Sequence, residues 1–164
     1  MKMESLEELF VEKLRDLYSA ENQIIKALPK MVKAASSEQL RNGFEEHLEQ
    51  TRQQVERLDQ IFEELDEKPK GKKSKGMQGL LEEGKELMEE DIDPEVLDAG
   101  LIAAAQHVEH YEIAGYGCVR TYAELLGFSN ATKLLKQTLD EEKQTDAKLT
   151  SLAEEINVQA EKAA

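Results

Sequence analysis

The chain has 164 residues, 35 acidic against 21 basic side chains, a formal net charge of −14 and a single cysteine, Cys118. That length suits one domain spanning residues 1–164, and the lone cysteine excludes an internal disulfide or a cysteine-built zinc site. The charge disfavours nucleic acid and anionic lipid as partners, and no apolar run approaches the ~18–20 residues that span a bilayer. The N-terminal MKMESLEELF is acidic and amphipathic rather than a basic stretch ahead of an apolar block, so a cytoplasmic protein with no membrane partner is expected.

The first helical stretch runs from about Ser5 to Ala35, with Phe10, Leu14, Leu17, Ile24, Leu28 and Met31 at helical spacing. Ser5 followed by Glu8 forms a capping box, and Pro29 should kink the helix without ending it, because the period continues through Met31 and Val32. A second helix follows from about Ser37 to Glu67, through Leu40, Phe44, Leu58, Ile61 and Leu65. The run KPKGKKSK, Lys68 to Lys75, reads as a solvated linker rather than a nucleic-acid contact. It opens a connector over about residues 68–93 that holds a short amphipathic segment, about Met77 to Glu89.

Asp93-Pro94 then signals an N-cap and a proline in the first turn of a long helix that ends near Gly127. The last helix extends from about Asn130 to Ala160 through Leu135, Leu139, Leu149, Leu152 and Ile156. The expected fold class is therefore all-α. The short links at Ser36-Ser37 and around Phe128 make two antiparallel hairpins, and the long connector can run the length of the bundle. Two hairpins joined by one long crossover is the ferritin-like four-helix arrangement.

Each apolar seam is interrupted near mid-helix by polar residues. Glu21 falls between Leu17 and Ile24; His47, Thr51 and Gln54 fall between Phe44 and Leu58; Glu112 follows Val108, flanked by Glu109; Glu142 and Asp146 separate Leu139 from Leu149. Glu21 lies about 15 residues before the first turn and His47 to Thr51 about 10 to 15 after it, while Glu112 lies about 16 before the second turn and Glu142 about 14 after it. Antiparallel partners equally far from their turn share a level, so the interruptions converge on one layer. Clustered buried carboxylates lose hydration and repel one another. A pair of cations removes both penalties, and oxygen-rich ligands with one imidazole suit iron or manganese.

Each residue also has an ordinary reading. Glu21 fits a surface position on a wider seam, His47 a hydrogen-bonded core histidine, Glu109 a solvent-facing site, and Asp146 a partner of Thr150 or Lys143. His107 and His110 flank the stripe and read as surface or supporting groups. Tyr18, Tyr111 and Tyr116 lie near the layer, where aromatic residues usually form core, and Cys118 is expected to pack as a small hydrophobe. Agreement in level across four helices favours the metal reading.

At LRDLYSAENQIIKALPKM, FEEHLEQTRQQVERLDQIFEEL, AAAQHVEHYEIAGYG and LDEEKQTDAKLTSLAEEI the sequence resembles the YciE/YciF family of bacterial ferritin-like proteins, in the family's order and over nearly the whole chain. The resemblance implies a ferritin-like bundle, a dinuclear metal site holding two iron ions (or manganese), a homodimer, and a role in bacterial stress that by fold analogy is oxidation of ferrous iron with oxygen or peroxide. The alternative is a stress-associated helical-bundle interaction protein without a functional metal site. Carried over by position, Glu109 and Glu112 are similar to the E-x-x-E pair of rubrerythrin-type helices. The first helix offers Glu21 as the resemblance implies, while the second and last helices depart from the usual E-x-x-H motif. His47 and Gln50 stand there in the second helix, and Glu142 and Thr145, with Asp146 one further on, in the last. Gln50 and Thr145 are the weak ligand candidates.

Overall fold

Side-chain caps start four of the five helices in the computed structural model, which describes residues 2–163; Met1 and Ala164 lie outside it. The Ser5 hydroxyl accepts from the Glu8 amide at 3.1 Å, and the Glu8 carboxylate accepts from the Ser5 amide at 3.1 Å. This capping box opens α1 (Leu6–Ala34), which continues through the exposed Pro29. Ser37 caps α2 (Glu38–Glu64), Ser74 caps α3 (Lys75–Glu89), and Asp93 with Pro94 starts α4 (Pro94–Leu125). Gly127, at φ 79°, makes the left-handed turn into α5 (Ser129–Lys162). No strand occurs among the described residues.

The fold is an all-α bundle in which α1–α2 and α4–α5 form the two hairpins. α1 also packs on α4, and α2 on α5. A buried aspartate fixes how the hairpins face each other. Asp98, in the first turns of α4, accepts from the Ser36 and Ser37 amides at 2.8 Å each and from the Ser36 hydroxyl at 2.7 Å. The first turn is thereby tied to the start of α4. At the opposite end the Phe10 and Phe128 rings stack, with centroids 5.8 Å apart. The chain leaves α2 at the Phe10 end and enters α4 at the Ser36 end, so residues 65–93 cross the full bundle.

The crossover is anchored rather than loose. Asp16 of α1 accepts from the Tyr111 hydroxyl at 2.6 Å and from Ser74 at 3.2 Å, while the Ser74 amide donates to Ser19 at 2.9 Å. α3 then lies against α4 and α1 with Met77 fully buried. Gly76 allows that seat, since a Cβ there would stand 2.5 Å from the Tyr111 ring. Lys72 pairs with Glu12, and the Arg15 side chain holds the Lys68 carbonyl and the Glu67 carboxylate. The basic run thus lies against the N-terminal half of α1.

Two apolar clusters fill the interior. One, toward the Phe10 end, gathers Phe10, Leu14, Phe62, Tyr116, Val119 and Leu135; the other, toward the Ser36 end, gathers Ile24, Leu28, Phe44, Leu101, Val108 and Leu149. The polar layer lies between them. Cys118 is exposed, contrary to the expectation of packing, because it falls on the outer side of α4 between the buried Tyr116 and Val119.

Candidate metal centre

Glu21, Glu112 and Glu142 are completely buried, Glu109 is 1% exposed and His47 7% exposed. The spacing of three puts Glu109 and Glu112 on one face of α4, pointing into the bundle with Val108 and Tyr116. α1 contributes Glu21, α5 Glu142 and α2 His47. One donor atom from each of His47, Glu109 and Glu142 lies within 4.8 Å of the other two, and the same holds for Glu21, Glu112 and Glu142. Two triads share Glu142. Each contains one α4 carboxylate.

The donors are short of partners. Both carboxylate oxygens of Glu21, Glu112 and Glu142, Oε2 of Glu109 and both ring nitrogens of His47 are buried without a hydrogen-bond partner among the described residues. His47 Nε2 stands 3.0 Å from Glu109 Oε1, inside ion-pair range, but the pair is not aligned as a hydrogen bond. Buried polar groups are normally satisfied, so such a concentration of bare donors fits a cation pair. Oxygen donors with a single imidazole suit iron or manganese.

Protonation is the other way to relieve the crowding. Burial raises the Glu21 carboxyl to about 8, with Glu142 adding to the rise and Glu112, His47 and Tyr116 opposing it. Burial raises Glu109 to about 7, reinforced by the charges of Glu21 and Asp146 and opposed by contact with Glu142. Glu112 and Glu142 are pushed well above the carboxylate range, first by burial and then by neighbouring carboxylates. Without a cation, protons shared between Glu21 and Glu112 and between Glu109 and Glu142 are the physical means of keeping this layer.

The remaining candidates stand apart from the two triads. The half-buried Asp146 turns toward α4, where its carboxylate accepts from Gln106 at 3.3 Å and meets His110 Nε2 at 3.1 Å. Thr145 donates to Gln50 at 3.1 Å. Those two line a solvent-facing cleft of about 120 Å³ with Glu46, His47 and Lys148. Thr51 bonds the His47 carbonyl at 2.7 Å. His107 is exposed, as is His110.

Arg57, Glu141 and Thr138 are supporting groups that were not singled out from sequence. Arg57 grips Glu141 with both guanidinium nitrogens and Thr138 with one, and Gln54 donates to Glu141 at 3.3 Å while touching Glu142. Glu141, next to Glu142, thereby fixes the level of α5 against α2. The signal was an arginine one turn beyond Gln54 on the same side of α2. Tyr116 is fully buried, and its hydroxyl lies near enough to Glu21 to favour the ionised carboxylate, without hydrogen-bond alignment. Burial, followed by the charges of Glu21, Glu112 and Glu142, holds the phenol well above its ordinary range.

A bundle of two hairpins with a carboxylate-rich layer between its apolar clusters defines a ferritin-like class of protein. Comparison with known proteins then supplies the family. The model for a domain of unknown function, DUF892, matches residues 5–162, and the chain belongs to that family. It is 52% identical over 163 residues to protein YciF of Escherichia coli K12, covering 98% of each chain. The crystal structure of the E. coli stress protein YciF superposes with a TM-score of 0.91, covering 94% of this chain and 98% of that one. YcfI from Rhodopseudomonas palustris, 45% identical, gives 0.88 over 91% of this chain and 95% of its own. A Xanthomonas campestris protein at 21% identity shares the fold, with a TM-score of 0.80 over 97% and 98% of the two chains. No described helix is long and apolar enough to cross a membrane.

Proposed function

We propose that the chain is a di-metal carboxylate protein of the bacterial stress response that binds iron, or manganese, and oxidises ferrous iron with oxygen or peroxide. The observation that carries this reading is the pair of buried triads sharing Glu142, with their donor atoms otherwise unpartnered. Glu21 and Glu112 would hold one ion, His47 and Glu109 the other, and Glu142 would serve both. Bound as a pair, the ions supply the electrons that reduce the oxidant.

The chain's own residues do the rest. The four carboxyls give up their protons as cations enter, which ties metal affinity to pH. Glu141, held by Arg57, keeps Glu142 in register between the triads, and the apolar clusters on either side keep bulk water from the layer. Asp146 supports α5 against α4 rather than standing among the donors.

The test is manganese and anaerobic ferrous binding by calorimetry, followed by oxygen admission to the iron-loaded protein. Manganese at a hundredfold its Kd should stabilise the wild type by about 2.7 kcal/mol. Glu142→Gln should remove that gain while raising the melting temperature of the chelated protein at neutral pH, because the amide spares the fold the cost of protonating a buried carboxyl. Oxidation should outrun that in buffer alone. Absence of metal binding by the wild type sinks the reading. A stress-associated interaction protein without metal is the competitor, favoured by the capacity of these raised carboxyls to share protons; it requires a melting temperature indifferent to both chelator and metal.

A further inference from the structure

The two triads draw unequally on α2. His47 belongs with Glu109 and Glu142, so the triad of Glu21, Glu112 and Glu142 has no donor from that helix. The position three residues after His47 does not supply one, because Gln50 bonds Thr145 in the surface cleft. Gln54 is different. It is fully buried, and its carbonyl oxygen Oε1 has no hydrogen-bond partner among the described residues.

Helix direction carries Gln54 toward that triad. It lies seven residues beyond His47, two turns on along the same face of α2. α2 and α4 both run from the Ser36 end to the Phe10 end, so the step from His47 to Gln54 goes the same way as the step from Glu109 to Glu112. Helical side chains lean back toward their own N-terminus, which returns the amide to the layer. There it touches Glu142. Its nitrogen donates to Glu141 at 3.3 Å, and an ionised carboxylate can only accept, so the carbonyl is the other, unanchored end.

A neutral oxygen suits this triad. The buried carboxylates of Glu21, Glu109, Glu112 and Glu142 already balance a pair of divalent ions. Another carboxylate would overcharge the layer, whereas a side-chain amide carbonyl ligates a hard cation without adding charge. We infer that Gln54 Oε1 is the α2 ligand of the ion held by Glu21, Glu112 and Glu142. The inference rests on the di-metal reading and adds a donor to it.

Manganese titration of the metal-free full chain, followed by calorimetry, separates a ligand from a supporting group. Gln54→Met keeps the shape but removes both the oxygen and the N–H. It should weaken one of the two bound ions by at least about tenfold and spare the other. Gln54→Glu keeps an oxygen in place but, once ionised, cannot donate to Glu141, and it should still bind both ions. In crystals of the manganese-loaded wild type, the anomalous peak beside Glu21 and Glu112 should contact Gln54 Oε1, and this map decides if a variant does not fold. Undiminished binding by Gln54→Met overturns the inference. So does equal weakening of both ions, or equal loss in the two variants, since either makes the amide a donor that positions Glu141 and Glu142. A wild type that binds two ions with Oε1 outside both coordination shells overturns it as well and leaves the di-metal reading standing. A wild type that binds no manganese removes both.

Discussion

The two ends of the bundle are built from different materials. Toward Phe10 the core is aromatic and closed, with Phe10 on Phe128 and Tyr18 edge-on to Phe62 at 5.9 Å. Toward Ser36 it is aliphatic, roofed on one side by α3, and it keeps a partly open pocket beside His47 and Glu109. The carboxylate layer thus has a sealed side, against Tyr116, and an approachable side, against Phe44 and Val108. Packing density, as much as the donors themselves, decides from which direction the layer can be reached.

Core truncation tests that contrast most strongly. Phe10→Ala, at a position with no exposure, should cost about 3–5 kcal/mol in urea unfolding. Leu149→Ala should cost about 2–3 kcal/mol, because one flank of that side chain already faces space and loses fewer contacts. Equal costs would break the distinction between the two ends.

The pH profile of the metal-free protein sharpens it next. Folding raises Glu21 to about 8 and Glu109 to about 7, and moves Glu112 and Glu142 upward as well. A raised folded-state pKa means that the folded protein holds its protons more tightly than the unfolded chain. Its contribution to stability is complete below the ordinary carboxylate value and is lost as pH climbs through the folded-state value. In chelator, the melting temperature should fall as pH rises from about 5 toward 8, and added manganese should flatten that fall by replacing protons in the layer. A profile that ignores metal would place the charge relief elsewhere.

The smallest effect is expected at Asp146, on the rim of the approachable side. Asp146→Asn should change stability by within about 0.5 kcal/mol and leave manganese binding intact, because its partners are Gln106 and His110 on the surface of α4. Loss of binding in this variant would move Asp146 back among the ligands.

Much of this molecule was legible in the residues themselves. Capping at Ser5, Asp93 and Gly127 marks helix ends through local hydrogen bonding and backbone freedom, which need no distant partner. The crossover follows from chain length, since residues 65–93 must connect opposite ends of helices that the short turns make antiparallel. Polar interruptions at Glu21, His47, Glu112 and Glu142 stand out because helical periodicity puts them on apolar faces, and equal distance from a turn puts them on one level.

Sequence could not decide which neighbours of that layer turn inward. Glu109 and Asp146 both flank an apolar stripe, yet Glu109 is buried against His47 and Asp146 is drawn to Gln106 and His110. Helix rotation settles that choice, and rotation is set by packing between hairpins. Asp98 on the Ser36 turn helps to fix it, as does Gly115, where a Cβ would lie 2.7 Å from a Leu17 methyl. Periodicity alone therefore determined that a polar layer exists and which helices supply it. Only the tertiary structure decided that both triads include Glu142, that Tyr116 is buried on one side, and that a pocket remains on the other, because each depends on distances between helices that no single helix encodes.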